Sequence, residues 1–249
     1  MDIGVLIFPG VDQLDVTGPF EILSRLPGAK VHVIWKTRKP IMDVHGLILT
    51  PTMTLSACPK LDLLVIPGGP GQEGIMDDRA ILDFIKSRAV QAKIVLSVCT
   101  GALLCGAAGL LIGKPATTHW ASLDLLKLFG AKPRKKRVVI SGRLISCAGV
   151  TSGIDGALRA VALLVGYKKA KMIQLAVEYA PEPPFQCYDI NHAPHNISLP
   201  VRREFARISA QRLKTAKRIS ESMQCTARKK NKDRRKSEAA GSGAAAKRT

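Results

Sequence analysis

The chain has 249 residues, 46% of them hydrophobic but only 4% aromatic, so it is long enough for one sizeable α/β core built from Val, Ile, Leu and Ala. Its formal charge of +19 would suggest a nucleic-acid binder if it were evenly spread. From Arg202 to Thr249, however, 16 Lys and Arg stand against 4 Asp and Glu, a net of +12, which leaves +7 for the first 201 residues. The basicity therefore belongs to a tail and says little about the globular part.

Six cysteines (58, 99, 105, 147, 187 and 225) form no CxxC pair and no dense framework, which argues against a disulfide scaffold or zinc ribbon and fits a reducing, cytoplasmic setting. No charged segment precedes an apolar one at the N-terminus, so no signal peptide is expected. The uncharged run from Ile94 to Gly113, between Lys93 and Lys114, is long enough for a membrane span. Its four glycines and strand-like first third favour a buried strand followed by a helix.

In chain order, Asp2 to Phe8 reads as a buried first strand ended by Pro9-Gly10. Phe20, Leu23 and Leu26 recur at helical spacing, and Thr17-Gly18-Pro19 suits the start of that helix, which places Asp15 in the loop just before it. Lys30 to Trp35 and the short run from Gly46 to Thr50 read as strands, with His32 and His45 structural. Leu61 to Ile66 is a further buried strand ending in PGGPG at 67 to 71. Backbone N–H groups at Gly68 and Gly69 would there face an anion or a developing oxyanion, although such loops are commonly only turns. Gly69, Gly71 and Gly74 have dinucleotide-motif spacing, but Pro70 lies among them and no cap-and-helix pattern opens in the right frame, which excludes a dinucleotide site. Asp77 to Val90 reads as an amphipathic helix covering the sheet.

The stretch KIVLSVCTGALLCGAAGLL at 93 to 111 organises the rest. A β-branched run stops at Cys99, and Thr100, Gly101 and Ala102 open an Ala/Leu-rich segment, the pattern of a strained strand-to-helix elbow that exposes its side chain at the carboxyl edge of a sheet. A thiol at a helix N-terminus is expected to have a lowered pKa. In an open parallel sheet the loop holding Asp15 meets the same edge, which makes Asp15 the first acid the fold would bring to Cys99. His119, in ATTHW at 116 to 120, is either an imidazole partner for the thiolate or a histidine packed beside Trp120.

Residues 122 to 130 read as a short helix, 137 to 146 as a two-stranded arm, and CAGVTSGIDGALRAVALLVG at 147 to 166 as another loop entering a helix, with Asp155 a dipole partner and not a catalyst. Cys187, His192 and His195 lie in a Pro- and Asn-rich segment without the scaffold a metal site needs, so no metal is expected. These features divide the chain into an α/β domain over 1–196 and, over 197–249, a basic helix from Val201 to Met223 with a disordered tail from Thr226. Without interleaved aromatics the tail offers nonspecific anion or nucleic-acid contact at most.

Together, FPGVDQLDVTGPFE at 8 to 21, PGGPG at 67 to 71, SVCTGALLCGAAGLL at 97 to 111 and ATTHWASLDLL at 116 to 126 resemble the PfpI-like branch of the class I glutamine amidotransferase-like superfamily. Within that branch the chain is most similar to the isonitrile hydratase (cyclohexyl-isocyanide hydratase) family, over about residues 3 to 185. The resemblance implies a flavodoxin-like three-layer sandwich with a mostly parallel sheet, a homodimer, a nucleophile on Cys99, an acidic partner on Asp15 and a hydroxyl on Thr100. It implies a lyase that adds water to isonitriles without any cofactor. Peptidase-like members carry a histidine directly after the cysteine, and Thr100 at that place counts against proteolysis. Two alternatives are the sensor domain of AraC-like transcription regulators, for which too few residues follow Pro200 to hold two helix-turn-helix units, and a glyoxalase or deglycase, which would favour a glutamate acid and a closely paired histidine.

Overall fold

A computed structural model describes the backbone of residues 1–245 and side chains through Cys225. The elements are β1 (Asp2–Leu6), α1 (Gln13–Leu23), β2 (Lys30–Trp35), β3 (Ile41–Met42), β4 (Ile48–Leu49), β5 (Met53–Thr54) and β6 (Leu63–Ile66), followed by a 3₁₀ segment at Pro70–Ile75. Next come α2 (Arg79–Gln91), β7 (Ile94–Val98), α3 (Gly101–Ala107), β8 (Pro115–Ala116), a second 3₁₀ segment at Trp120–Phe129 and β9 (Lys132–Pro133). The order closes with β10 (Val138–Ser141), β11 (Leu144–Cys147), α4 (Ser152–Val165), α5 (Tyr167–Ala176) and α6 (His195–Ala245).

Seven strands form one sheet in the order β10-β11-β7-β6-β1-β2-β5. All its pairings are parallel except β10 with β11. Every residue of β6 and of β7 is buried, which explains their near-continuous apolar sequences: a central parallel strand covered on both faces has no solvent side to make polar. On one face α1 packs on α4 and α4 on α5; on the other α2 packs on α3, and α3 on the second 3₁₀ segment. This is the flavodoxin-like α/β sandwich. The uncharged run at 94 to 113 is β7 and α3 in its core, and among the described residues no helix is long and apolar enough to cross a membrane.

From β1 the chain first winds outward to β2 and β5, then returns to lay β6 on the other side of β1. The loops after β1 and β6 thus diverge at the topological switch point, where open α/β sheets place their ligands. Hydrogen bonds tie the two loops together there, from Asp12 N–H to the Gly68 carbonyl (3.0 Å) and from Gly71 N–H to the Gly10 carbonyl (2.9 Å).

Two local expectations change. Helix α1 starts at Gln13, a turn earlier than Thr17-Gly18-Pro19 suggests, because Asp12 caps it by accepting from Leu14 N–H at 3.1 Å. Pro19 is therefore inside the helix and buried, and Asp15 belongs to its first turn rather than to the preceding loop. The residues at 122 to 130 form a 3₁₀ segment, ended as expected by glycine: Gly130 adopts a left-handed φ of 72°. Where disorder is expected from Thr226, the backbone continues as helix α6 to Ala245, and residues 246–249 lie outside the described residues.

Candidate active site

Cys99 occupies the elbow between β7 and α3, and its φ of 52° is the left-handed conformation that a non-glycine residue adopts only under constraint. Both backbone ends are tied down: Cys99 N–H donates to the Cys147 carbonyl at 3.1 Å, and the Thr118 hydroxyl donates to the Cys99 carbonyl at 2.6 Å. The residues around the elbow must be small. A Cβ on Gly101 would lie 2.0 Å from the Ile66 carbonyl oxygen, and one on Gly68 would lie 2.5 Å from Thr100 N, so glycine at both positions lets α3 enter directly against the end of β6.

Asp15 is fully buried. Its Oδ2 accepts from Gly68 N–H at 2.8 Å, whereas Oδ1 has no well-aligned hydrogen-bond partner among the described residues. Burial raises this carboxyl well above the usual range, and the neighbouring Asp12 adds to the effect; the Gly68 N–H and the Cys99 thiol pull in the opposite direction without reversing it. The protonated form of Asp15 is accordingly favoured relative to an exposed aspartate.

The thiol behaves differently from the sequence expectation of a lowered pKa. Burial pushes Cys99 well up, Asp15 pushes the same way, and the Thr100 N–H together with Arg212 only partly offsets them. Desolvation of this buried residue, 6% exposed, outweighs the partial charge at the start of a seven-residue helix. Burial thus disfavours charge on both the thiol and the carboxyl beside it.

Thr100 is buried, and its hydroxyl bonds both polar groups of Gly69, accepting from the N–H at 3.2 Å and facing the carbonyl at 3.4 Å. The two glycine N–H groups expected to serve an oxyanion are therefore donated within the site, Gly68 to Asp15 and Gly69 to Thr100. The Thr100 N–H instead supports the sulfur. His119 caps the second 3₁₀ segment, its Nδ1 accepting from Ala121 N–H at 3.4 Å, and its ring packs on Trp120 and Phe205 with centroids 5.2 and 5.0 Å away. Burial and the Arg212 charge press it down to about 4, so it is neutral at pH 7.

Two residues escape sequence reasoning. Arg212, assigned by its sequence context to a basic tail, is 3% exposed and donates through Nη2 to the Gly69 carbonyl at 2.8 Å. Gln72, hidden in a glycine loop, is fully buried with neither side-chain amide atom paired among the described residues. The available signal for Arg212 was its place in a helix with Ala216 and Ile219, four and seven residues on, which are buried with it. Of the other histidines, His32 pairs with Asp2 at 2.8 Å and His192 with Asp189 at 2.8 Å. No group of three metal-ligating side chains occurs among the described residues.

A strained cysteine elbow at the switch point of a parallel sheet defines a class of thiol proteins, and residues 1–163 match the DJ-1/PfpI family, to which this chain belongs. The chain is 49% identical over 206 residues to the isonitrile hydratase of Pseudomonas putida, covering 83% of this chain and 90% of that one. A THiJ/PfpI family protein from Pseudomonas syringae superposes with a TM-score of 0.84 at 37% identity, covering 86% of this chain and 90% of the other. An HTH-type transcriptional regulator of Pseudomonas aeruginosa is 28% identical over 131 residues, 51% of this chain but 34% of the regulator.

Proposed function

We propose that the protein hydrates small isonitriles to N-substituted formamides through Cys99. The carrying observation is the buried Cys99 on its strained elbow beside the buried Asp15, whose carboxyl is pushed up by burial, in a chain 49% identical to an isonitrile hydratase across 90% of that enzyme. The terminal carbon of an isonitrile must gain both a nucleophile and a proton, and a thiol beside a carboxylic acid supplies both.

In the first step the Asp15 proton goes to the isonitrile carbon while sulfur bonds to the same carbon. The thiol proton passes to the Asp15 carboxylate, so the acid is restored and a thioimidate, R–N=CH–S–Cys99, is formed. In the second step water adds to that carbon, with Asp15 giving its proton to the nitrogen and taking one from the water, to form R–NH–CH(OH)–S–Cys99. Collapse of this adduct breaks the C–S bond: Asp15 gives its proton to the departing sulfur, takes the hydroxyl proton in return, and R–NH–CHO is released. Thr100 holds the Gly69 peptide and, through its N–H, supports negative charge on sulfur. No metal or organic cofactor takes part. We read the protein as a cytoplasmic homodimer whose partner is the small-molecule substrate; light scattering on the eluted protein gives the stoichiometry.

The test is turnover of a panel of alkyl and aryl isonitriles with direct detection of formamide. Cys99→Ala is expected to lose ~10³-fold or more in kcat/KM, the scale of removing a covalent nucleophile. Full hydration by this variant would sink the mechanism. A gel shift on duplex DNA addresses the sensor alternative, and sequence-specific retardation would favour it.

A further inference from the structure

Arginine 212 sits in an unusual electrostatic position. It is a permanent cation, 3% exposed, and it takes part in no ion pair among the described residues. Its hydrogen bond goes to a neutral carbonyl, that of Gly69, while Nε has no partner among the described residues. Burying a guanidinium without a counter-charge costs several kcal/mol, and a fold meets that cost stably only when packing holds the group in place.

That packing is present along α6. The Thr215 hydroxyl donates to Glu73 at 2.7 Å, Ser220 to the Leu128 carbonyl at 2.7 Å, and Arg218 pairs with Asp77 at 2.6 Å, so the helix is fastened to both 3₁₀ segments that border the elbow. The charges that act on Arg212 are those of Cys99 and Glu73. Glu73 is held by the Thr215 hydroxyl and forms no ion pair with Arg212 among the described residues. Ionisation of Cys99 therefore adds a second negative charge opposite this cation, on its elbow side.

We infer that Arg212 is a positioning residue of the thiol site: α6 carries a buried guanidinium without an ion-pair partner to the Gly69 carbonyl beside the elbow, where its charge faces the Cys99 thiolate that forms during reaction. Such a charge, fixed in advance in a water-poor site, favours the ionised state without reorganisation and so lowers the barrier rather than tightening substrate binding. The segment from His195 onward is in this respect part of the active site. The inference rests on Cys99 being the nucleophile, as proposed above, but not on the identity of the electrophile.

The experiment follows alkylation of Cys99 by iodoacetamide against pH in the full chain, quantified at that residue by mass spectrometry, alongside isonitrile turnover. Arg212→Met should slow alkylation at pH 7.5 by ~10-fold or more and move its midpoint to higher pH, with kcat falling and KM nearly constant. Arg212→Lys should recover part of both. Lys214→Met, which removes the same charge from the exposed side of α6 two residues away, should leave both as in the wild type. An Arg212→Met protein that melts like wild type and shows an unshifted alkylation profile overturns the inference, as does an equal shift from Lys214→Met. If Arg212→Met does not fold, an unshifted Arg212→Lys profile overturns it, and a partial shift sustains it. Loss of isonitrile turnover in the wild type, with the alkylation profile still governed by Arg212, would refute the substrate reading and leave this one standing.

Discussion

Strands β7 and β11 lie side by side in parallel, and each feeds a helix at the same edge of the sheet, yet the two junctions are built in opposite ways. From β7 the chain enters α3 across Cys99 and Thr100 alone, with left-handed backbone at Cys99, and the ionisable groups gathered there, Asp15 and Arg212, are buried without partners of opposite charge. From β11 the chain takes four residues to reach α4, and its charges meet at the surface: Arg137 bonds Asp155 at 2.6 Å and the Thr151 hydroxyl at 3.2 Å. One junction spends stability on strain and desolvation; the other relaxes both. The proposed chemistry falls on the first, where groups left unsatisfied at rest have something to gain as a reaction proceeds.

The sharpest way to break this contrast is to neutralise the acid at the strained junction. Asp15→Asn keeps an acceptor for Gly68 N–H but has no proton to give, and should lose ~10²–10⁴-fold in kcat, the range of general acid catalysis. The same variant should be more stable than wild type, and increasingly so as pH rises. A carboxyl whose folded pKa lies above its unfolded value near 3.8 contributes most to stability below that value, and the contribution is lost as pH rises toward the folded pKa. Thermal melts at pH 5 and pH 8 would reveal this as a gap in Tm between variant and wild type that widens at pH 8. A smaller effect is expected at Thr100. Thr100→Val removes the hydroxyl that holds Gly69 and should cost ~10-fold in kcat, about the worth of one hydrogen bond that must be positioned correctly. At the relaxed junction Asp155→Asn should change turnover less than ~2-fold and lower stability by at most about 1 kcal/mol, as for other partly exposed ion pairs. A large loss of turnover from Asp155→Asn would dissolve the distinction between the junctions.

The sheet and the elbow were legible in the sequence because both follow from nearest neighbours along the chain: continuous apolar runs for β6 and β7, then a cysteine followed by a small-residue helix. The pairing of Asp15 with Cys99 was legible one step removed, since parallel topology collects those loops at one edge. The start of α1 was misplaced because Pro19 is a stronger local signal than Asp12, although the aspartate cap decides the helix. The pKa of Cys99 was misjudged in direction, since burial is a property of the whole fold and helix position is a property of the local chain. Arg212 was hidden for a related reason: among 16 basic residues in its segment, nothing local distinguishes the one that tertiary packing buries.

The Gly69 carbonyl receives the Arg212 guanidinium, the Gln72 N–H at 3.2 Å and the Thr100 hydroxyl, so one oxygen joins the last helix, the glycine loop and the elbow. Removing α6 from the sandwich would strip that oxygen of its Arg212 contact and leave those of Gln72 and Thr100, so undocking this helix would change the charge beside the elbow without undoing the elbow itself.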